Sequence, residues 1–450
     1  MTNTLNRRNY LRLSTAAAAG AALQPWTACG QPKKPNIVYI IADDMGWADI
    51  GYNNEEIKTP NLDRLAAQGV TLTHHYAMPT CTPTRVGLMT GHFPSRYGVH
   101  GPDYGKIFRD DTITLADAMQ KAGYFTAISG KWHMGSPPKY TPLKYGFDSS
   151  YGYFAGQIDP YTHHYKKGQL SWHRDDALLK EEGHATDLIT EEAMRVIDKS
   201  DDKPFFLYVA YSVPHFPLKE PERWTSMYAH IEEPSRRWFN ASITHMDHGI
   251  GQIVEALDRK GIREDTLIVF VSDNGGQKSW HSKTQYKGRY ADKPHTVLGN
   301  NEPLRGWKGD VYEGGIRVPG FVNWKGTVDS GKCSTPIHIA DWMPTLCALA
   351  GCSMKRDLQW DGANVWPQLS GKKHNPPERP LYWKTRNAAA VRQDGWKLVQ
   401  TGQGEQVELY HIAKDPLEKK NVAKEKPGKV KELKRVLQQM MAKDGEKEKE

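Results

Sequence analysis

Four short apolar runs, each stopping at residues able to do chemistry, constrain this chain more than any other feature. Asn36-Ile37-Val38-Tyr39-Ile40-Ile41-Ala42 stops at Asp43-Asp44, and Tyr124-Phe125-Thr126-Ala127-Ile128 leads to Gly130-Lys131-Trp132-His133-Met134-Gly135. Phe205-Phe206-Leu207-Tyr208-Val209-Ala210 ends close to Pro214-His215-Phe216-Pro217, and Leu267-Ile268-Val269-Phe270-Val271 ends at Ser272-Asp273-Asn274-Gly275-Gly276. Helical patterns lie between them: one capped by Thr59 and stopped by Gly69, another from about Thr114 to Gly123. Alternation of this kind predicts an α/β fold, a large mostly parallel or mixed sheet flanked by helices. Open α/β sheets gather ligands at the carboxyl ends of their strands. The four endings are therefore expected to share one pocket.

The chain of 450 residues is too long for one small core. The polar, turn-rich stretch from Gly371 to Pro377 marks a boundary, dividing a main domain (31–371) from a C-terminal subdomain (372–450). Beyond it, Leu381–Trp383, Ala388–Val399 and Val407–Ile412 read as strands of a small antiparallel sheet. A helix from about Lys429 to Met441 follows, and then a charged tail expected to fray. The net charge of +8 favours anionic partners. With no nucleic-acid module in the sequence, a polyanion other than nucleic acid is the expected one.

Residues 1–30 read as an export segment. Asn6-Arg7-Arg8-Asn9-Tyr10-Leu11-Arg12 resembles a twin-arginine motif, and the apolar stretch Ala16–Leu23 is too short to span a membrane. Trp26-Thr27-Ala28-Cys29 has the small residues and cysteine of a lipoprotein cleavage site, which makes Cys29 a candidate lipid anchor. A periplasmic or extracellular location is expected. Cys333, Cys347 and Cys352 match no metal motif, are expected as buried thiols, and can hold at most one bridge.

Asp43, Asp44, Asp273 and Asn274 are hard oxygen ligands, a set that suits Ca²⁺, or less comfortably Mg²⁺, better than zinc. The competing two-zinc pattern, Asp159-x-x-x-His163, sits in an aromatic-rich stretch with no strand before it. It reads as chance or a substrate-contacting loop. Cys81-Thr82-Pro83-Thr84-Arg85 places a cysteine just ahead of a helix start, with Pro83 in the first turn and Arg85 one turn in. Free helix N–H groups and a guanidinium make such a place an anion-handling site. A lone cysteine there would otherwise be a thiol packed beneath a helix.

That pentapeptide, with Leu88-Met89-Thr90-Gly91 and Gly91-His92-Phe93-Pro94-Ser95-Arg96 after it, resembles the signature of the type I, formylglycine-dependent sulfatases of the alkaline phosphatase-like superfamily. Thr84 stands where Ser or Ala is commoner. The resemblance continues through Lys131 and His133, His215, Leu304-Arg305-Gly306-Trp307-Lys308-Gly309, and Glu313–Pro319, and ends in Leu409-Tyr410 with Asp415–Glu418. It implies that a maturation enzyme converts Cys81 to formylglycine, and that Asp43, Asp44, Asp273, Asn274 and position 81 hold calcium. It further implies a hydrated aldehyde attacking a sulfate ester, with Asp273 accepting its proton. His215, helped by Lys308, protonates the leaving alcohol, His133 drives release of sulfate, and Arg85 and Lys131 stabilise charge.

Segments 149–184 and 277–301, rich in Tyr, Trp, His, Lys and Arg, read as sugar-binding loops. Gly152-Tyr153-Phe154-Ala155-Gly156 and the Tyr-His-His run carry a weaker resemblance to the arylsulfatase B branch, and a sulfated polysaccharide is the expected substrate. Two other readings compete: a phosphomonoester or phosphonate hydrolase on the same fold, and an inactive lipoprotein that binds sulfated glycans. Cys81, His133 and His215 are all present, against the latter.

Overall fold

The computed structural model describes residues 33–447, apart from 167, 281–295, 355, 373, 374, 376 and 378. The export segment and Cys29, most of the second sugar-binding stretch, and part of the boundary stretch at 371–377 thus lie outside the described residues.

Among the described residues a ten-stranded mixed sheet runs through the main body. At its centre are five parallel strands in the order Thr266–Ser272, Asn36–Asp43, Phe205–Pro214, Phe125–Lys131 and Ser149–Tyr153. Antiparallel neighbours, Gly320–Asn323 beside Thr266–Ser272 and Trp172–Arg174 beside Ser149–Tyr153, extend it on both sides. The apolar runs are continuous because each central strand is covered twice. Ile37, Tyr39 and Ile41 point into one core, and Val38, Ile40 and Ala42 into the other. Helices Cys81–Thr90, Leu115–Lys121 and Trp342–Ala350 contribute to the first core; Pro60–Ala67, Ala185–Lys199 and Pro234–Arg259 contribute to the second.

Four differences from the sequence reading have physical causes. Ser149–Tyr153, Trp172–Arg174 and Ala177–Leu178, expected as loops, are strands, because the aromatic residues of this stretch bury against the sheet edge. Ala388–Val399 divides into two strands, Ala388–Gln393 and Trp396–Thr401, at a turn where Asp394 and Gly395 both take positive φ. The small C-terminal sheet therefore has four antiparallel strands, covered by helix Pro427–Met441 through Leu433 and Leu437. Thr59 occupies the N-cap position, but its hydroxyl bonds the Asp63 carboxylate instead of a helix N–H. The charged tail does not fray as far as Lys447: Asp444 is held by Arg96, Tyr382 and Lys384.

The small sheet is joined to the main body by buried polar contacts. Lys397, fully buried, pairs with Glu313 and Glu418 at 2.9 Å each, and Trp383 Nε1 donates to the Ala77 carbonyl just ahead of Cys81. Cys333 and Cys347 are buried thiols, Cys352 is half-buried, and all three are unbridged.

Candidate active site

The ends of the four central strands meet as expected, and the Cys81–Thr90 helix closes the pocket. Cys81 is the first residue of that helix, not ahead of it, with Thr80 extended at the N-cap. All ten residues of the helix are buried, so it is a core element whose first turn faces polar groups. Thr84 explains its own position: its hydroxyl donates to the Asp273 carbonyl at 2.5 Å and accepts from Met78 N–H at 2.9 Å, tying helix to strand end.

Three buried carboxylates are each matched by a cation. Lys131 Nζ donates to Asp43 Oδ2 at 2.6 Å, Lys308 Nζ lies 2.6 Å from Asp44 Oδ1, and Arg85 Nη2 donates to Asp273 Oδ2 at 2.8 Å. Asp44, at φ 72°, turns its N–H to Asp273 Oδ1 and its own carboxylate to Asn274 Nδ2. Arg85 spends its other amino group on the Lys131 carbonyl and the Tyr208 hydroxyl. His215 Nε2 lies 3.7 Å from Asp44 Oδ2, while its Nδ1 pairs with the Phe216 carbonyl at 2.5 Å. His133 is buried at positive φ, with no hydrogen-bond partner for either ring nitrogen among the described residues.

Electrostatics follow from this crowding. Burial pushes Asp43 up, with Lys131 opposing and Asp273 and Asp44 adding to the rise. Burial acts the same way on Asp44, but Lys308 and His215 outweigh it and hold that carboxyl low. Burial, then Lys308, brings His215 down to about 3, and burial with Lys131 and Arg85 takes His133 well below its ordinary value. Burial also raises Cys81, so the unmodified side chain is a thiol and a poor nucleophile.

The residues present fit a hard divalent cation. Asp43 Oδ1 and Asn274 Oδ1 are buried without a hydrogen-bond donor among the described residues. Ligand atoms of Asp43, Cys81 and Asp273 lie within 4.8 Å of one another, as do those of Asp43, Asp44 and His215. Oxygens left bare in a dry site are costly unless a cation takes them up. The Asp159 carboxylate instead accepts Tyr161 and Thr162 N–H groups in a turn, and His163 stacks on Trp172.

Some members of the site were not legible as such. Tyr208 lies inside an apolar run, and only its hydroxyl, useless in a dry core without a partner, hinted at the contact with Arg85. Gly156 has a steric reason: a Cβ there would sit 2.5 Å from His133 Nε2. Asn301, whose side chain bonds both the N–H and the carbonyl of Gly276, steadies the turn after Asp273.

The sulfatase family model matches residues 35–352, a span that contains every one of these side chains. The chain belongs to the sulfatase family. A second model, that of the C-terminal region of N-sulphoglucosamine sulphohydrolase, matches residues 306–447 of this sulfatase. Arylsulfatase J of Mus musculus is 32% identical to it over 92% of this chain and 77% of that protein. N-acetylgalactosamine-6-sulfatase of Mus musculus is 31% identical over 80% of this chain and 70% of its own length. The solved structure of Ps i-CgsB in complex with k-i-k-neocarrahexaose superposes with a TM-score of 0.83 at 31% identity, covering 92% of this sulfatase and 94% of that chain. The fold is thus alkaline phosphatase-like, and the enzyme is a sulfuric ester hydrolase.

Proposed function

We propose that this sulfatase removes sulfate from a sulfated carbohydrate, with position 81 in its formylglycine form as nucleophile and calcium seated on Asp43, Asp44, Asp273, Asn274 and position 81. The carrying observation is the meeting of Cys81 with Asp43 and Asp273, in a site where Asp43 Oδ1 and Asn274 Oδ1 are left without a hydrogen-bond partner among the described residues. When bound, the two groups supply a hydroxyl nucleophile of lowered pKa and a second hydroxyl able to release product.

This chain's own residues do the remaining work. Lys131 and Lys308 have ammonium donors beyond those given to Asp43 and Asp44, and each charge-assisted bond to a sulfate oxygen contributes roughly 1.5–3 kcal/mol. Arg85 acts by holding Asp273 in place to accept the nucleophile's proton. His215, neutral in the sulfate-free site, turns Nε2 toward Asp44. A bound anion raises its pKa, and it then protonates the leaving alcohol with Lys308 beside it. His133, neutral and unpartnered, takes the proton that frees sulfate. Support for a carbohydrate substrate comes from the oligosaccharide complex and the galactosamine-sulfatase relative. Maturation by a formylglycine-generating enzyme, export on the Arg7-Arg8 segment and lipid attachment at Cys29 belong to the same reading.

Turnover of aryl sulfate against aryl phosphate, measured with the native-host enzyme and with Cys81→Ala, tests this function. Sulfate is expected to be strongly preferred, and the variant to be folded and inactive. Full activity in Cys81→Ala, or preference for phosphate, would overturn it.

A further inference from the structure

Residues 440–447 pack back against the segment that follows the Cys81–Thr90 helix. Arg96 Nη1 donates to the Met440 carbonyl and to Asp444 Oδ1, both at 2.8 Å, while Asp444 Oδ2 accepts from Tyr382 and Lys384 at 2.8 Å. Gly445 N–H then bonds the Ser95 carbonyl at 3.0 Å. The tail packs so closely that a Cβ on Gly98, at φ 66°, would lie 2.4 Å from the Lys447 nitrogen. Lys447 ends the run with its ammonium 2.6 Å from Asp103 Oδ1.

Asp103 is the anchor of a turn. The same Oδ1 accepts the N–H groups of Tyr104 at 2.7 Å and Gly105 at 3.1 Å, and the Asp103 N–H bonds Thr82 Oγ1, next to the nucleophile position. Tyr104 rides on this turn. Its ring lies 5.1 Å from that of His133 and 6.1 Å from that of Tyr165, with the two tyrosine hydroxyls 3.3 Å apart. At 40% exposure Tyr104 presents an aromatic face to solvent directly beside a buried histidine of the site. Such a face is apolar with a polar tip, the combination that takes a sugar ring.

We infer that residues 444–447 form a strap that, through the Lys447–Asp103 pair, positions Tyr104 as a wall of the carbohydrate cleft. The inference rests on the carbohydrate reading for its substrate, but the strap itself does not. Lys447 is a positioning residue: it acts on Tyr104 through Asp103. The C-terminal end, remote in sequence from Cys81, thereby takes part in substrate choice.

Two measurements on the full chain test it. Hydrogen exchange of the peptide spanning Asp103–Gly105 reads the turn without reference to activity. In Lys447→Ala, and in a chain ending at Gly445, exchange there is expected to quicken about two- to fivefold, the range for loss of a partly exposed ion pair. The second is the KM-against-kcat split with 4-nitrophenyl sulfate, a 6-sulfated N-acetylgalactosaminide and a neocarrahexaose. For a carbohydrate the enzyme desulfates, Lys447→Ala is expected to raise KM about two- to fivefold with little change in kcat, and Lys447→Arg to restore it. Unchanged exchange in both variants overturns the strap. So does a fall in kcat of equal size on every substrate without a change in KM. Hydrolysis of 4-nitrophenyl sulfate alone by the wild type would sink the carbohydrate reading, and exchange would still decide the strap.

Discussion

A protonated histidine clamped between two carboxylates makes the stability of this enzyme depend on pH, far from neutral on both sides. His245, with its side chain 1% exposed, has Nδ1 2.7 Å from Glu220 and Nε2 2.8 Å from Asp187. Trp224 stacks on its ring, His184 packs beside it, and Arg223 lies 3.5 Å from Asp187. His184 accepts the Thr186 N–H on Nδ1, and its Nε2 faces the Lys219 carbonyl and lies 3.5 Å from Glu220 Oε1. The group is an ion-pair network. Burial alone would lower His245, but the hydrogen bonds it donates to Asp187 and Glu220 raise it to about 9. Burial would raise Glu220, but His184 and His245 bring it down to about 2. The difference between about 9 and the ordinary 6.5 of histidine corresponds to about 3 kcal/mol. A raised base contributes that stability in full below pH 6.5 and loses it as pH climbs through 9. The lowered carboxyl contributes above its ordinary 4.5 and loses it as pH falls through 2. Both limbs describe one interaction, so the energies do not add. His245→Gln should therefore lower Tm most between pH 5 and 6.5, and the gap should close toward pH 10. Spread over the unfolding entropy of 450 residues, about 3 kcal/mol is a gap of about 3 °C. Thermal denaturation of both proteins across that range is the assay. A gap that stays constant with pH would show that His245 contributes through packing and not charge.

Removing the divalent ion with a chelator should abolish turnover yet leave the near-ultraviolet circular dichroism of a folded protein. Asp43, Asp44 and Asp273 each keep a cation partner, and unfolding on chelation would contradict that pairing. His215→Asn should cost about 10²–10⁴ in rate for a sugar sulfate, whose alcohol needs a proton, and much less for 4-nitrophenyl sulfate. Equal losses on both would remove His215 from the role of acid.

The sheet and the site were legible in the sequence to unequal depth. Carboxylate-bearing strand ends could be read because a strand buried on both faces is apolar through its middle, so Asp43 or Asp273 stands out at the stop. What could not be read were contacts whose sequence signal is ordinary. Tyr208 looks like any aromatic in a buried strand until Arg85 is placed beside it. The stretch from Ser149 to Leu178 looked like loops because its Tyr, Trp and His residues suit a sugar site, yet packing of Tyr151 and Tyr153 on Trp172 makes strands of it. The tail from Asp444 to Lys447 was hidden for a different reason. Charged residues at a terminus fray by default, but Arg96, Tyr382, Lys384 and Asp103, brought there by the fold, hold these.

The pairing of cations in the catalytic pocket bears on how the pocket folds. Three carboxylates packed without partners would resist burial, and the chain would need its ion in order to fold. Here Lys131, Lys308 and Arg85 neutralise them one for one, so the pocket can assemble around an unmodified thiol. On the proposed reading, a divalent ion would add surplus positive charge, which the negative charge of a sulfate ester would partly offset. Folding and charging of the site would then be separable steps. A Cys81 that has not been converted should still sit in a native pocket that binds sulfate weakly and turns nothing over. An unmodified enzyme that failed to fold would refute that separation.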